Sequence, residues 1–387
     1  MNVKEMDKAY VAGTYKRFPL EIVSGQGSIV KDETGKEYID LGSGIAVTSF
    51  GIGDAGWKQA IIDQMNKVQH MSNLYYTEPC ARLAELLCQK TGMKKVFFSN
   101  SGAEANECAI KTARKYAAEK HGLNCYTIIT LKNSFHGRTI TTLAATGQDH
   151  YHELFQPLTP GFVHAEANNI EELETLVNQQ PTAAIMIECV QGEGGVIPLS
   201  PEFVSAAAKI AWEKDILLIV DEVQTGNGRT GRLYAYMHYG IQPDIVSTAK
   251  GLAGGLPLGA TLLGDKVQDV LGFGDHGSTF GGNPLCCAGA LSILSRLDDA
   301  FLAQVREKSA YLFQTFENAP GIEAVTGLGL MIGLKTKKPA PQAVAECMEK
   351  GVLCLTAKDK VRLLPALNIP MDILKKAAQV ILEVCAQ

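Results

Sequence analysis

Short apolar runs alternate with longer amphipathic stretches through the first three-quarters of the chain. Val96-Phe97-Phe98, Tyr126-Thr127-Ile128-Ile129, Ala184-Ile185-Met186-Ile187, Ile216 to Val220, Ile245-Val246 and Ala260-Thr261-Leu262-Leu263 are apolar at nearly every position, the pattern of strands buried on both faces. Between them, Trp57, Ile61, Met65 and Val68 recur at helical spacing, and Glu104 to Lys120 predicts a helix with Glu107 and Lys111 paired one turn apart. Strand and helix in alternation predict an α/β fold with a mainly parallel sheet covered on both faces. After residue 300 the rhythm changes to long helices around a few strands, at Leu328 to Leu334 and Val352 to Leu355, which predicts a second, smaller α+β domain.

Composition narrows the class. With 387 residues, 46% of them hydrophobic and 20% charged, the chain has room for one large core and a satellite domain. A net charge of −5 without Lys/Arg runs argues against nucleic acid or an anionic membrane as partner. No stretch reaches the roughly 18 apolar residues of a membrane span, and Met1 to Lys8 has no apolar run after its charges, so a cytoplasmic protein is expected. The ten cysteines are scattered singly apart from Cys286-Cys287 and form no Cys-x-x-Cys, which reads as reduced thiols with no metal site.

The chemistry starts from two strand ends. Asp221 closes the Ile216 to Val220 run, and Lys250 follows Ile245-Val246 and lies 29 positions after Asp221. In a parallel sheet both ends open on the same carboxyl edge, where ligands bind, so a carboxylate and an amine can face one molecule. Pyridoxal phosphate requires such a pair, an acid for its ring nitrogen and a lysine for its Schiff base. A strand-terminal Asp is also a common helix cap and a lone Lys is usually solvated, so the pair alone leaves the question open.

Four further segments bear on it. Ser99 to Asn106 joins a strand end to a helix start, where Ser101, Gly102 and Ala103 would offer backbone N–H groups to a phosphate; an ordinary serine cap has the same appearance. In Ser134-Phe135-His136-Gly137-Arg138-Thr139, Phe135 can lie on a flat heterocycle and Arg138 can fork onto a carboxylate, while His136 reads as structural. Glu193 is the sole ionisable group of the loop Gln191-Gly192-Glu193-Gly194-Gly195. Gly277 to Pro284 is a polar, glycine-rich loop that ends as a helix opens.

Taken together, these segments resemble the class III pyridoxal-phosphate aminotransferases of fold type I, and among them the acetylornithine aminotransferases. The resemblance spans nearly the whole chain, from Gly25-Gln26-Gly27-Ser28 and Asp32 to Asp40 through the segments above, Asp221 to Gly226, Gly228-Arg229-Thr230-Gly231 and Ala235 to Gly240, to Val361-Arg362. It implies a large domain, residues 46–300, with a mainly parallel seven-stranded sheet. A small α+β domain, residues 301–387, would be joined by the N-terminal segment 1–45. It assigns Lys250 to the Schiff base, Asp221 to the ring nitrogen, Val223 to the ring face, Gln224 to the ring hydroxyl and Phe135 to the stack. Ser101, Gly102 and Ala103 fall to the phosphate, as does Thr279 from a second subunit, which implies a homodimer with shared sites. Arg138, Arg362 and Ser278 fall to the substrate, with Glu193 as a movable mask over Arg362.

The implied reaction moves the δ-amino group of N2-acetylornithine to 2-oxoglutarate in arginine synthesis. Ornithine, succinylornithine, 4-aminobutyrate and succinyl-diaminopimelate are alternative donors, and an aminomutase of the same fold is a second class. A nicotinamide enzyme is rejected, since no Gly-x-Gly-x-x-Gly follows a strand and opens a helix. Three places depart from the family pattern: Gly51-Ile52-Gly53-Asp54-Ala55-Gly56, Asn227, and Leu363-Leu364-Pro365.

Overall fold

The structure, a computed structural model, describes all 387 residues. Seven strands form the central sheet: β1 (Lys95–Ser99), β2 (Thr127–Leu131), β3 (Phe162–Ala165), β4 (Thr182–Ile187), β5 (Leu217–Asp221), β6 (Ile245–Thr248) and β7 (Gly259–Leu263). Their order across the sheet is β1-β7-β6-β5-β4-β2-β3. Only β7 runs antiparallel to its neighbours; the other pairs are parallel. Every residue of β2, β4, β5, β6 and β7 is buried, which is why these strands are continuous apolar runs rather than alternating ones.

Helix α1 (Gly102–His121) starts directly after β1 and lies on the sheet through small side chains, Ala105, Cys108, Ala109 and Ala113. Its first turn is tied to β7 by the Thr261 hydroxyl, which donates to the Ala105 carbonyl at 2.8 Å. Close approach matters here because the N-terminus of α1 forms one wall of the site.

A second antiparallel sheet is built from β8 (Ile322–Leu328), β9 (Met331–Thr336), β10 (Leu355–Ala357) and β11 (Lys360–Leu363), in the order β8-β9-β11-β10. Strands at Ile22–Gln26, Ile29–Asp32 and Glu37–Asp40 form a third sheet, which the C-terminal half completes: Val352–Leu353 pairs with Ile39 and Asp40. A hydrophobic core of 62 buried residues includes both Ile187 of β4 and Leu363 of β11, so the two regions pack as one body.

Three expectations change on contact with the fold, and one strand was not expected. The run Leu328 to Leu334 holds the end of β8, the hairpin turn at Gly329-Leu330 and the start of β9, and is not one strand. Val352 to Leu355 divides between two sheets. Strand β3, a short edge strand containing His164, had no apolar run to announce it. Glu107 and Lys111 do not pair: Glu107 accepts from the Thr139 hydroxyl at 2.5 Å, while Lys111 donates to the Asp275 carbonyl at 2.5 Å. No helix is long and apolar enough to cross a membrane.

Candidate active site

The carboxyl ends of β4, β5 and β6 open on a cavity of about 510 Å³. The register of the sheet sets three groups side by side. Val220 is the partner of Ile187 and Asp221 of Ser247, so Glu188, Asp221 and the residues leading to Lys250 emerge on one edge.

Asp221 is held by three donors. Its Oδ2 accepts from Asn106 Nδ2 at 2.7 Å and from His136 Nδ1 at 2.8 Å, and its Oδ1 accepts the Val223 N–H at 2.9 Å. Asn106 comes from α1 and also donates to the His136 carbonyl at 2.8 Å, so helix and loop are locked to the same carboxylate. Charge-assisted bonds of this kind contribute about 1.5–3 kcal/mol each. The sequence marks His136 as structural and gives Asn106 no role; both touch Asp221, and both line the cavity.

Glu188 also went unmarked, because an acid ending an apolar strand carries no motif of its own. It is buried beside Asp221, and its Oε2 accepts the Phe135 N–H at 3.0 Å. Burial, with the neighbouring Asp221 charge, pushes its carboxyl well above the usual range.

Lys250 lines the same cavity and is in no ion pair with a carboxylate. Burial lowers its amine below the usual lysine range, against the opposing pull of Glu193. Its backbone lies at φ 45°, a left-handed conformation that a lysine holds only when its surroundings impose it. Asn227 supplies part of that constraint: its Nδ2 donates to the Thr248 hydroxyl at 3.0 Å and to the Ala249 carbonyl at 3.1 Å.

At the other wall, Ser101 caps α1, accepting the Glu104 N–H at 3.2 Å. Gly102 is required by packing, since a Cβ there would meet Val223 Cγ1 at 2.6 Å. The first N–H groups of a 20-residue helix, with Ser101, Gly102 and Ala103 in the lining, make a place for a dianion. Phe135 and Val223 supply an aromatic and an aliphatic face. A helix N-terminus for a phosphate, a fixed carboxylate for a ring nitrogen, apolar faces for a ring and a free amine for an aldehyde together fit pyridoxal phosphate.

The two arginines are placed differently: Arg138 lines the cavity, whereas Arg362 and Glu193 are outside its lining and bond to Gln224, which is in it. The Arg138 guanidinium lies over the rings of Tyr151, at 4.7 Å, and Phe135, at 5.6 Å, and has no ion pair with a carboxylate. Arg362, on β11, is buried, and its Nη1 donates to Glu193 Oε1 at 2.5 Å, Gln224 Oε1 at 3.2 Å and the Gly192 carbonyl at 3.3 Å. Its Nε has no partner. Gln224 Nε2 donates to the same Glu193 oxygen at 3.1 Å, so the amide is taken up by this pair. A side chain at position 192 would put Cβ 2.2 Å from Gln224 Oε1, which explains the glycine before Glu193. Burial would raise the Glu193 carboxyl, but the Arg362 charge and hydrogen bond outweigh it and hold it below the usual range.

Ser278 and Thr279 are not brought to this cavity. Ser278 Oγ accepts from Asn100 Nδ2 at 3.1 Å and from the Gly281 N–H at 3.0 Å; Thr279 is exposed on the loop that leads to the helix at Pro284–Leu294. No group of three or more His, Cys, Asp or Glu side chains is placed to hold a metal.

Comparison with known proteins agrees over the full length. The profile of the family Aminotransferase class-III matches residues 10–385. The acetylornithine aminotransferase of Haemophilus ducreyi is 49% identical over 387 residues, covering 100% of this chain and 98% of that protein. Among solved structures, the ornithine aminotransferase of Toxoplasma gondii superposes with a TM-score of 0.94 at 31% identity, covering 99% of this chain and 94% of that one. The N-acetylornithine aminotransferase of Stenotrophomonas maltophilia gives 0.86 at 34% identity, covering 99% and 98%. The chain belongs to the class III aminotransferases, enzymes that depend on pyridoxal 5'-phosphate.

Proposed function

We propose that this protein transfers the δ-amino group of N2-acetyl-L-ornithine to 2-oxoglutarate, giving N-acetyl-L-glutamate 5-semialdehyde and L-glutamate, a step of arginine synthesis in the cytoplasm. One observation carries the reading: a masked arginine, Arg362 paired with Glu193, bonds to Gln224 in the wall of a cavity that also holds an arginine free of any carboxylate, Arg138. The donor brings a terminal amine and one distant carboxylate; the acceptor has a carboxylate at each end. Arg138 serves the distant carboxylate of both. Arg362 serves only the carboxylate next to the reacting carbon of the acceptor, so Glu193 covers it for the donor and leaves it for the acceptor.

Lys250 would hold the cofactor through its amine, Asp221 its ring nitrogen, Phe135 and Val223 the ring faces, Gln224 its hydroxyl side, and Ser101, Gly102 and Ala103 its phosphate. The bound cofactor supplies an electron sink for the carbon whose C–H bond breaks. The lowered Lys250 amine takes the proton from the donor δ-carbon and, in the return half, delivers one to C2 of the acceptor. Asp221, fixed by Asn106 and His136, keeps a proton on the ring nitrogen. Glu188 anchors Phe135 through its backbone N–H.

The same reading makes the protein a homodimer, with Thr279 reaching the phosphate of the partner subunit and Ser278 beside it at the substrate. Around that loop the surface is apolar: Leu74 is 87% exposed and Phe280 59%, and Asn73 ties the two segments by donating to the Ser278 and Gly281 carbonyls at 2.9 and 3.0 Å. Residues 46–300 act as the large domain, and 301–387 with 1–45 as the small one.

Initial rates for a panel of ω-amino donors with 2-oxoglutarate test the assignment. N2-Acetylornithine is expected to exceed ornithine and 4-aminobutyrate in kcat/KM by about tenfold or more. A higher value for ornithine would favour the second reading, which the Toxoplasma gondii superposition supports. Absence of glutamate among the products would point to an aminomutase.

A further inference from the structure

Glu193 lines a second cavity, a polar space of about 730 Å³ that it shares with Lys132, Asn133, His150, Tyr151 and Lys358. Both of its hydrogen bonds, from Arg362 and Gln224, end on Oε1, so the other carboxylate oxygen is uncommitted. Drawing the carboxylate away from Arg362 without a new partner would strand a half-buried charge, which is costly. The identity of a cation able to receive it therefore decides whether the exchange can occur.

The cations of that cavity differ sharply. Lys132 is neutralised by Glu166 at 2.8 Å and Glu172 at 3.7 Å. His164 meets the Thr130 hydroxyl at 2.6 Å, and burial pushes it down to about 4, so it is uncharged near neutrality. The His150 ring lies against Tyr151 at 3.9 Å. Lys358 pairs with no carboxylate; its Nζ donates to the Asn133 side-chain oxygen, a neutral partner. Asn133 is also the residue against which the glutamate loop packs, since a Cβ on Gly194 would stand 2.6 Å from its carbonyl oxygen. Lys358 occupies the turn between β10 and β11, where Ala357 pairs with Lys360, and β11 carries Arg362 four positions on. One hairpin thus carries two cations, Arg362 bonded to Gln224 in the wall of the first cavity and Lys358 in the lining of the second, and Glu193 lines the second while paired to Arg362.

We propose that Lys358 is a positioning residue for the acceptor: it receives the Glu193 carboxylate when a substrate carboxylate takes its place on Arg362. The proposal rests on the exchange of Glu193 at Arg362. It makes the open state of the switch a second ion pair rather than a solvated acid, and it ties affinity for the acceptor to a residue that touches no substrate.

The test uses the holoenzyme and follows the two half-reactions separately by rapid mixing, with N2-acetylornithine or with glutamate. Lys358→Met, which keeps the stem and removes the charge, is expected to lower kcat/KM for the glutamate half about threefold to fivefold and leave the donor half within about twofold. Lys358→Arg should restore the glutamate half. In a Glu193→Ala background Lys358→Met should have no further effect, because the charge it would receive is gone. Equal loss in both halves, an undiminished effect in the Glu193→Ala background, or no change in the single variant would each overturn the proposal. Glu193→Ala alone reports on the exchange itself: if it damages both halves alike, that reading falls, whereas a split response with a silent Lys358→Met removes only the landing site.

Discussion

The two ends of the catalytic cavity are built on opposite plans. At the cofactor end, Asp221 sits on a strand end of the central sheet and is fixed by three hydrogen bonds of 2.7 to 2.9 Å from a helix, a loop and its own turn. At the proposed substrate end, Arg138 is exposed and rests on aromatic faces, while Arg362 comes from the second region, bonds to Gln224 in the cavity wall and is held by a glutamate on a glycine-rich loop. The difference follows from the task. On the proposed reaction the cofactor is the same in both half-reactions, so preorganised groups serve it best; the two substrates would differ in charge beside the reacting carbon, so one contact there would have to change.

The comparison breaks first at Lys250. Lys250→Ala is expected to fold, lose the visible absorbance of the bound cofactor and reduce turnover about 10⁴-fold, by absorbance and single-turnover assay. Near-normal turnover would remove the lysine from the mechanism. Asp221→Ala should cost about 10³-fold in both half-reactions alike while the cofactor is still retained, as equilibrium dialysis would report. A loss under tenfold would mean that the rigid end is less important than its geometry indicates.

A smaller effect, but a divided one, is expected at the other end. Glu193→Ala should weaken the acetylornithine half about tenfold and keep or improve the glutamate half; Arg362→Ala should do the reverse. Equal effects in the two halves would show that the substrate end is as fixed as the cofactor end. The smallest effect expected is at Thr279, one hydroxyl contributing about 1 kcal/mol. Mixed dimers of Lys250→Ala and Thr279→Ala chains should regain activity, because both lesions would fall in one of the two sites. Mixtures no more active than the sum of their parents, with exchange confirmed by mass, would place Thr279 outside the partner's site.

Much of the cofactor end was legible in the chain. Asp221 and Lys250 stand where buried strands stop, and Ser101-Gly102 where a helix starts, so local pattern located them. Their supports were not legible: Asn106 and His136 meet Asp221 across 115 and 85 positions, and neither has a local signal for that contact. The departures from the family pattern combine local and distant contacts. Asp54 caps the helix at Ala55–Met65 by accepting the Trp57 N–H at 2.8 Å and pairs with Arg296 at 2.8 Å. Asn227 braces the strand end before Lys250, at a φ of 59° that an asparagine tolerates better than an apolar side chain. The Leu364 N–H donates to the Leu41 carbonyl at 2.7 Å, joining the end of β11 to the N-terminal segment.

By itself the sequence determined the alternation of strand and helix, the strand ends that carry the acid and the amine, and the glycine loops, because each rests on neighbours in the chain and on the period of the backbone. Local pattern left open which side chains meet: the pairing of Arg362 with Glu193, 169 positions apart, was expected from the family resemblance alone, and that of Lys358 with Asn133, across 225, came only from the tertiary structure. A hydrogen-bond partner is set by distance in space, and no local pattern encodes which distant loop a folded hairpin will face.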